Sequence, residues 1–181
     1  MKMKTPPPMR GHAGEMFVCG ELMRRGWLAS LTARGSRGFD ILARRADAPV
    51  FVTIRVKTGH YSFMWSCKKD GTLFLDMGDP RDFTVIVDLP DSAAPDYYII
   101  PTATLEKILR DSHQLWLNTP GKNGQPHGKT PVRAIWMDDD QSRIGHGCAV
   151  TLAQYHNAWD LLYSSVVSVK DGALEAEIVS A

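Results

Sequence analysis

Three polar residues near the start of the chain are of the types that phosphodiester hydrolysis uses. Glu15 ends the stretch Gly11-His12-Ala13-Gly14-Glu15, and Asp40 stands in Arg37-Gly38-Phe39-Asp40 ahead of apolar Ile41-Leu42. Lys57 follows Arg55 by two positions in the otherwise apolar run from Val50 to Thr58. Carboxylates of this kind hold Mg²⁺ or Mn²⁺, and a neighbouring lysine orients the attacking water and offsets phosphate charge. In an extended strand Val50, Val52, Ile54 and Val56 point to one face, and Phe51, Thr53, Arg55 and Lys57 to the other. Two cations on one face of an internal strand are costly unless paired or solvated at a cleft. Asp40 and Glu15 are the acids expected to serve them.

Other constellations carry less. His113, His127, His146 and His156 with Cys148 invite a zinc reading, but His146-Gly147-Cys148 has a single intervening residue and no matching pair elsewhere. Asp138-Asp139-Asp140 reads as a solvated acidic loop, and Trp116, Trp136 and Trp159 as packing residues. Arg34, Arg37, Arg44, Arg45, Lys68 and Lys69 form either a phosphate-contacting rim or a set of solvated loop charges. The chain has no Walker loop, dinucleotide fingerprint or Gly-x-Ser-x-Gly elbow.

The elements that must position these residues follow from hydrophobic period. Gly11 to Arg25 reads as a helix with Phe17, Gly20 and Met23 on one side and Gly26 to stop it. Trp27 to Leu31, Phe39 to Ala43 and Val50 to Thr58 read as strands. Tyr61 to Cys67 and Thr72 to Met77 flank Lys68-Lys69-Asp70-Gly71, a hairpin signal. Phe83 to Val87 and Tyr97 to Ile100 are continuous apolar runs suited to buried strands. A helix is expected from Thr102, as N-cap, to about Arg110. Asn118 to Pro131 reads as a surface loop. A last helix is expected from a capping box at Thr151 to Gln154, with Leu152, Tyr155, Trp159 and Leu162 as its apolar stripe. Val166 to Val169 is a strand candidate. Such an order implies an α/β or α+β protein with helices packed on a central mixed sheet.

At 181 residues the chain suits one well-buried domain. We expect a flexible segment over 1–10, a domain over 11–165 (core 11–110, extension 111–165), and a tail or strand over 166–181. No apolar run is long enough to span a bilayer and none follows the N-terminal charges as a secretory signal would, so a cytoplasmic protein is expected. The three cysteines suggest no disulfide framework. Residues 1–69 hold 13 Lys+Arg against 4 Asp+Glu, whereas residues 70–181 hold 8 against 16. The basic half suits a polyanion and the acidic half a protein partner, unless the halves pair with each other in the fold.

Taken together, Gly14-Glu15, Gly38-Phe39-Asp40-Ile41-Leu42 and Ile54-Arg55-Val56-Lys57-Thr58 resemble the pattern of PD-(D/E)xK nucleases, the restriction-endonuclease-like superfamily. The resemblance spans roughly residues 11–110. It implies an αβββαβ core, divalent-metal-dependent hydrolysis of phosphodiesters and a nucleic acid substrate; for this chain we expect DNA as that substrate and a C-terminal helical extension to the core. By position it makes Glu15 the helix-borne acid, Asp40 a metal ligand and Lys57 the lysine of the motif. Arg34, Arg37, Arg55, Lys68 and Lys69 would then contact nucleic acid.

The chain departs from that pattern at Arg55, where the superfamily carries Glu, Asp or Gln. Arginine has donors only. At an effective dielectric of ~20, its charge ~5 Å from a divalent ion is repelled by roughly 6–7 kcal/mol. Three explanations stay open: catalysis is lost and the fold binds nucleic acid or a protein partner without cutting; another carboxylate, with Asp76 the candidate, replaces the missing ligand; or Arg55 swings outward to a phosphate. Whether the chain is an enzyme, and whether it forms a homo-oligomer, the sequence leaves open.

Overall fold

The computed structural model describes residues 6–33, 38–75, 79–137 and 149–165. In chain order the elements are α1 (Pro7–Arg24), β1 (Trp27–Leu31), β2 (Ile41–Arg45), β3 (Phe51–Gly59), β4 (Ser62–Ser66), β5 (Asp82–Asp88), β6 (Asp96–Pro101), α2 (Thr102–Asn118), β7 (Val132–Trp136) and α3 (Ala149–Leu152). A 3-10 turn over Ala153–Tyr155 and a helical stretch over 160–165 follow. The main sheet has the order β1-β2-β3-β5-β6, and β4 pairs with β7 in a separate ribbon. Only β3 and β5 run parallel; the other neighbours in the main sheet are antiparallel. The expected mixed sheet flanked by helices is therefore present. Its parallel crossover from β3 to β5 contains β4 and, among the described residues, no helix; α2 comes after β6.

Each face of the sheet has its own apolar cluster. On one, Val18 and Leu22 of α1 pack against Ile41, Val52, Ile54, Val85 and Ile99. On the other, Leu105 and Leu109 of α2 join Phe63, Ile86, Ile100 and Ile135. Every residue of β5 from Asp82 to Val87 is buried, which explains its continuous apolar run: covered on both faces, it shows no alternation.

Helix α1 starts at Pro7, where a proline's missing N–H is harmless, so the lead-in expected over 1–10 is helical from Pro7 onward. It ends before Gly26, whose φ of +82° only glycine adopts without strain. Its buried face is Gly14, Val18, Cys19 and Leu22, not the expected Phe17, Gly20 and Met23; Phe17 and Met23 are exposed. The packing decides this. A Cβ on Gly14 would overlap the side chain of Thr58 on β3, so the glycine face is the one that approaches the sheet.

Three further expectations are corrected. Lys68 to Thr72 do form a tight turn, with Gly71 at φ +84°, but β4 finds its partner in β7, with Phe63 opposite Ile135, instead of in residues 72–77. Thr102 does not cap α2: Pro101 is the N-cap residue, and the buried Thr102 hydroxyl meets that of Thr84 at 3.0 Å. The last helix is interrupted. Tyr98 bridges to His156, Asn157 takes φ +51°, and the Asn157 N–H donates to the Tyr97 carbonyl at 2.8 Å. The segment thus crosses the edge of β6, placing Leu152 in one apolar cluster and Trp159 and Leu162 in the other. Gln154 donates its side-chain amide to the Thr151 carbonyl, so the pair is no capping box. The strand candidate at Val166 to Val169 and the tail lie outside the described residues.

Candidate active site

Asp40 sits one residue ahead of the β2–β3 ladder, whose last pair is Ile41 with Ile54. Its N–H donates to the Ile54 carbonyl at 2.9 Å. Beyond that point its side chain replaces the backbone: the carboxylate accepts the Val56 N–H at 2.7 Å. Thr32, just past β1, fixes the approach from the other side, its hydroxyl donating to the carbonyls of Phe39 and Asp40 at 3.0 and 3.2 Å. The Asp40 backbone is thus fixed by Thr32 and Ile54, and its carboxylate by Val56 of β3.

Glu15 comes from α1. Close packing of Gly14 on Thr58 lays the helix over the C-terminal half of β3, and this brings the Glu15 charge within electrostatic reach of Asp40. Glu15 is partly exposed, and its carboxylate lies 3.1 Å from Nδ1 of His12. Burial raises the Asp40 carboxyl above its ordinary range; the Val56 N–H opposes that, the Glu15 charge adds to it, and Arg55 opposes it. A half-buried carboxylate beside a second one is an arrangement that a hard cation relieves. Among the described residues no cluster of three or more His, Cys, Asp or Glu side chains is arranged to hold a metal. Glu15 and Asp40 are the two carboxylates whose chemistry would suit a hard cation such as Mg²⁺ or Mn²⁺.

Arg55 does not turn to Asp40 or Glu15 for its counter-charge, as the sequence suggested. Its guanidinium pairs with Asp82 at the start of β5, at 2.9 Å through one Nη and 3.3 Å through Nε, and donates to the Leu75 carbonyl at 2.6 Å. Thr53 donates to the other Asp82 oxygen at 3.2 Å, and the Phe74 ring lies 5.7 Å from the guanidinium. The side chains are only 14% and 3% exposed. Burial raises the Asp82 carboxyl, while Arg55 and Thr53 pull it down. Both Asp82 oxygens thus accept hydrogen bonds, one from Thr53 and one from Arg55.

Lys57 shares the Arg55 side of β3, two residues further on. Its ammonium stands 5.4 Å from the centre of the Trp65 ring on β4, and burial lowers its pKa. The Glu15 and Arg55 charges both act on Asp40, while the Lys57 ammonium faces Trp65.

Lys68 and Lys69 are exposed in the turn after β4. Arg45 is engaged by Asp47 at 2.6 Å and by the Tyr163 ring, and Arg44 lies over Phe51. Asp76, Arg34 and Arg37 lie outside the described residues. Two cations of the basic half pair with acids of the acidic half, Arg10 with Asp91 at 2.6 Å and Arg55 with Asp82. No helix among the described residues is long and apolar enough to cross a membrane. Sequence reasoning missed Asp82, Trp65 and His12. Arg55 itself was the available signal for Asp82, because a cation on an internal strand requires an acid on a neighbouring one.

No family model and no curated protein matches the chain. Solved structures do. A bacterial homing endonuclease, I-Ssp6803I, superposes with a TM-score of 0.54 at 11% identity, covering 93% of this chain and 99% of that one. Hjc, a Holliday junction resolvase from Archaeoglobus fulgidus, superposes with a TM-score of 0.39 at 16% identity over 77% of this chain and 93% of that one. The chain has a restriction-endonuclease-like fold.

Proposed function

We propose that this protein is a metal-dependent nucleic-acid phosphodiesterase of the PD-(D/E)xK kind, acting on DNA, with its site on Glu15, Asp40 and Lys57. The observation that supports this reading is a half-buried Asp40 carboxylate, held by the Val56 N–H beside β3, on which the Glu15 charge acts. Glu15 and Asp40 would hold Mg²⁺ or Mn²⁺. When bound, such an ion supplies a water of lowered pKa and neutralises phosphate charge. Arg55 is compatible with it because Asp82 pairs with the guanidinium and so offsets part of the repulsion that an unpaired cation would exert. Lys57, kept partly desolvated beside Trp65, offsets the charge that builds on the phosphate in the transition state.

Purified protein incubated with linear, nicked, branched and single-stranded DNA and Mn²⁺ tests this. Cleavage of at least one substrate is expected, with loss in Lys57→Ala and in Asp40→Asn. Absence of cleavage on all four would refute hydrolysis. Arginine at the third ligand position favours a second reading, in which the fold binds nucleic acid without cutting it. On that reading the same DNAs are bound intact, with affinity falling steeply as salt rises.

A further inference from the structure

Strand β3 ends in a turn that is harder to form than a turn needs to be. The Ser62 N–H donates to the His60 carbonyl at 2.8 Å across a single residue, Tyr61, which takes φ +61°. This is the rare, strained form of γ-turn, in the φ region that glycine and asparagine occupy readily and an aromatic residue does not. Its surroundings hold it there. The Met137 N–H donates to the Tyr61 carbonyl and the Leu89 N–H to the Gly59 carbonyl, both at 2.8 Å. Gly59 is needed for the close return of the chain, since a Cβ there would lie 2.8 Å from the Ser62 carbonyl.

The tyrosine ring gains little from the fold in exchange. Tyr61 is 58% exposed, and its ring packs on one side against His60, with centroids 3.8 Å apart. The His60 imidazole is itself fixed by Asp88, Nδ1 to Oδ1 at 2.8 Å. An aromatic ring backed by a neighbour, here with 44° between the planes, and largely exposed offers a surface on which a base can stack. It lies four residues beyond Lys57, in the turn just past the end of the same strand and within roughly 13 Å of chain, and the exposed Lys68 and Lys69 follow beyond the far end of β4.

We propose that the Tyr61–His60 pair is a stacking site for an unpaired base of a nucleic acid whose backbone runs past Lys57. The proposal rests on the nucleic-acid reading above and narrows it: the preferred substrate carries an unpaired base next to the phosphate at the site. A paired base is already stacked on its neighbours and cannot use the ring, whereas a bulged, flipped or single-stranded base can.

The test uses the full chain, Ca²⁺ in place of a cleavage-supporting ion, and three oligonucleotides: a paired duplex, the same duplex with one bulged 2-aminopurine, and a single strand containing it. Wild-type protein should bind the bulged duplex more tightly than the paired one and change 2-aminopurine fluorescence on binding. Tyr61→Gly relieves the backbone strain and should melt no lower than wild type. It should nonetheless lose about fivefold or more of affinity for the unpaired substrates, with paired-duplex binding unchanged. Tyr61→Phe keeps the ring and should keep the preference. Equal affinities of wild type and Tyr61→Gly for the bulged duplex would overturn the stacking site while leaving nucleic-acid binding intact. Failure of wild type to bind any of the three would refute the nucleic-acid reading itself, and the stacking site with it.

Discussion

Replacing Arg55 by glutamine removes the cation that Asp82 faces while retaining a side chain of similar reach. Asp82 is 3% exposed, and its partner accounts for its 2.9 Å and 3.3 Å bonds. Removing one member of a buried, hydrogen-bonded ion pair leaves an uncompensated charge and costs about 3–5 kcal/mol. For a chain of 181 residues, where ~1 kcal/mol moves the melting point by about 2–4 °C, that is a fall of roughly 6–20 °C. Asp82→Asn alone leaves the guanidinium with the Leu75 carbonyl and should also lower stability. The double variant Arg55→Gln/Asp82→Asn restores a neutral hydrogen-bonded pair, so its loss should be smaller than the sum of the singles by ~2 kcal/mol or more. Urea unfolding of the four proteins gives the coupling directly. Additive losses, with a coupling energy below about 0.5 kcal/mol, would show that Asp82 does not neutralise Arg55. The two-carboxylate metal site would then lose its electrostatic basis.

Asp40→Asn keeps an oxygen for the Val56 N–H and removes the charge. Burial, with the Glu15 charge, holds the Asp40 carboxyl above the ordinary range, so the folded protein binds its proton more tightly than the unfolded chain does. In the metal-free wild type this group's contribution to stability therefore falls as pH rises from about 4 through the raised pKa. The variant should be more stable relative to wild type near neutral pH than at about pH 4, and Mn²⁺ should raise the melting point of wild type but not of the variant; a pH-independent difference would refute the burial argument. Gly14→Ala forces a methyl group against Thr58 and should destabilise by about 1–3 kcal/mol. An unchanged melting point would mean that α1 does not approach β3 as closely as described.

The framework was legible because it is made of local patterns. The glycine at position 26 marked the end of α1, and the apolar runs around Val85 and Ile99 marked β5 and β6 within a residue or two. What failed depended on contacts distant in sequence. Phe17 and Met23 looked like the buried face of α1 because they are large, yet Gly14 decides the face through Thr58, some forty residues later. Asp70-Gly71 announced a turn correctly, but a turn does not say which strand β4 will pair with, and β7 won. Asn157 broke the last helix because its backbone bonds to Tyr97 on β6, a partner that no helical period reveals.

Within the site the same division holds, and the Arg55 position shows its physical root. Glu15 and Asp40 announced themselves as isolated acids among glycines and apolar residues. Asp82 was hidden because β5 is covered on both faces, so an acid at its first residue reads as an ordinary strand boundary. Its role follows only from the parallel register that sets Thr53 opposite Asp82 and Arg55 opposite Thr84. Once that register is known, the departure at Arg55 changes meaning. An unpaired arginine there would repel a divalent ion; pairing with Asp82 offsets part of that repulsion, while the Arg55 charge still acts on Asp40. Relative to a site with three carboxylates, this one offers a cation less attraction and one fewer oxygen. On the proposed reading it would depend more heavily on a substrate phosphate to complete the coordination, and metal and nucleic acid should strengthen each other's binding by the same factor.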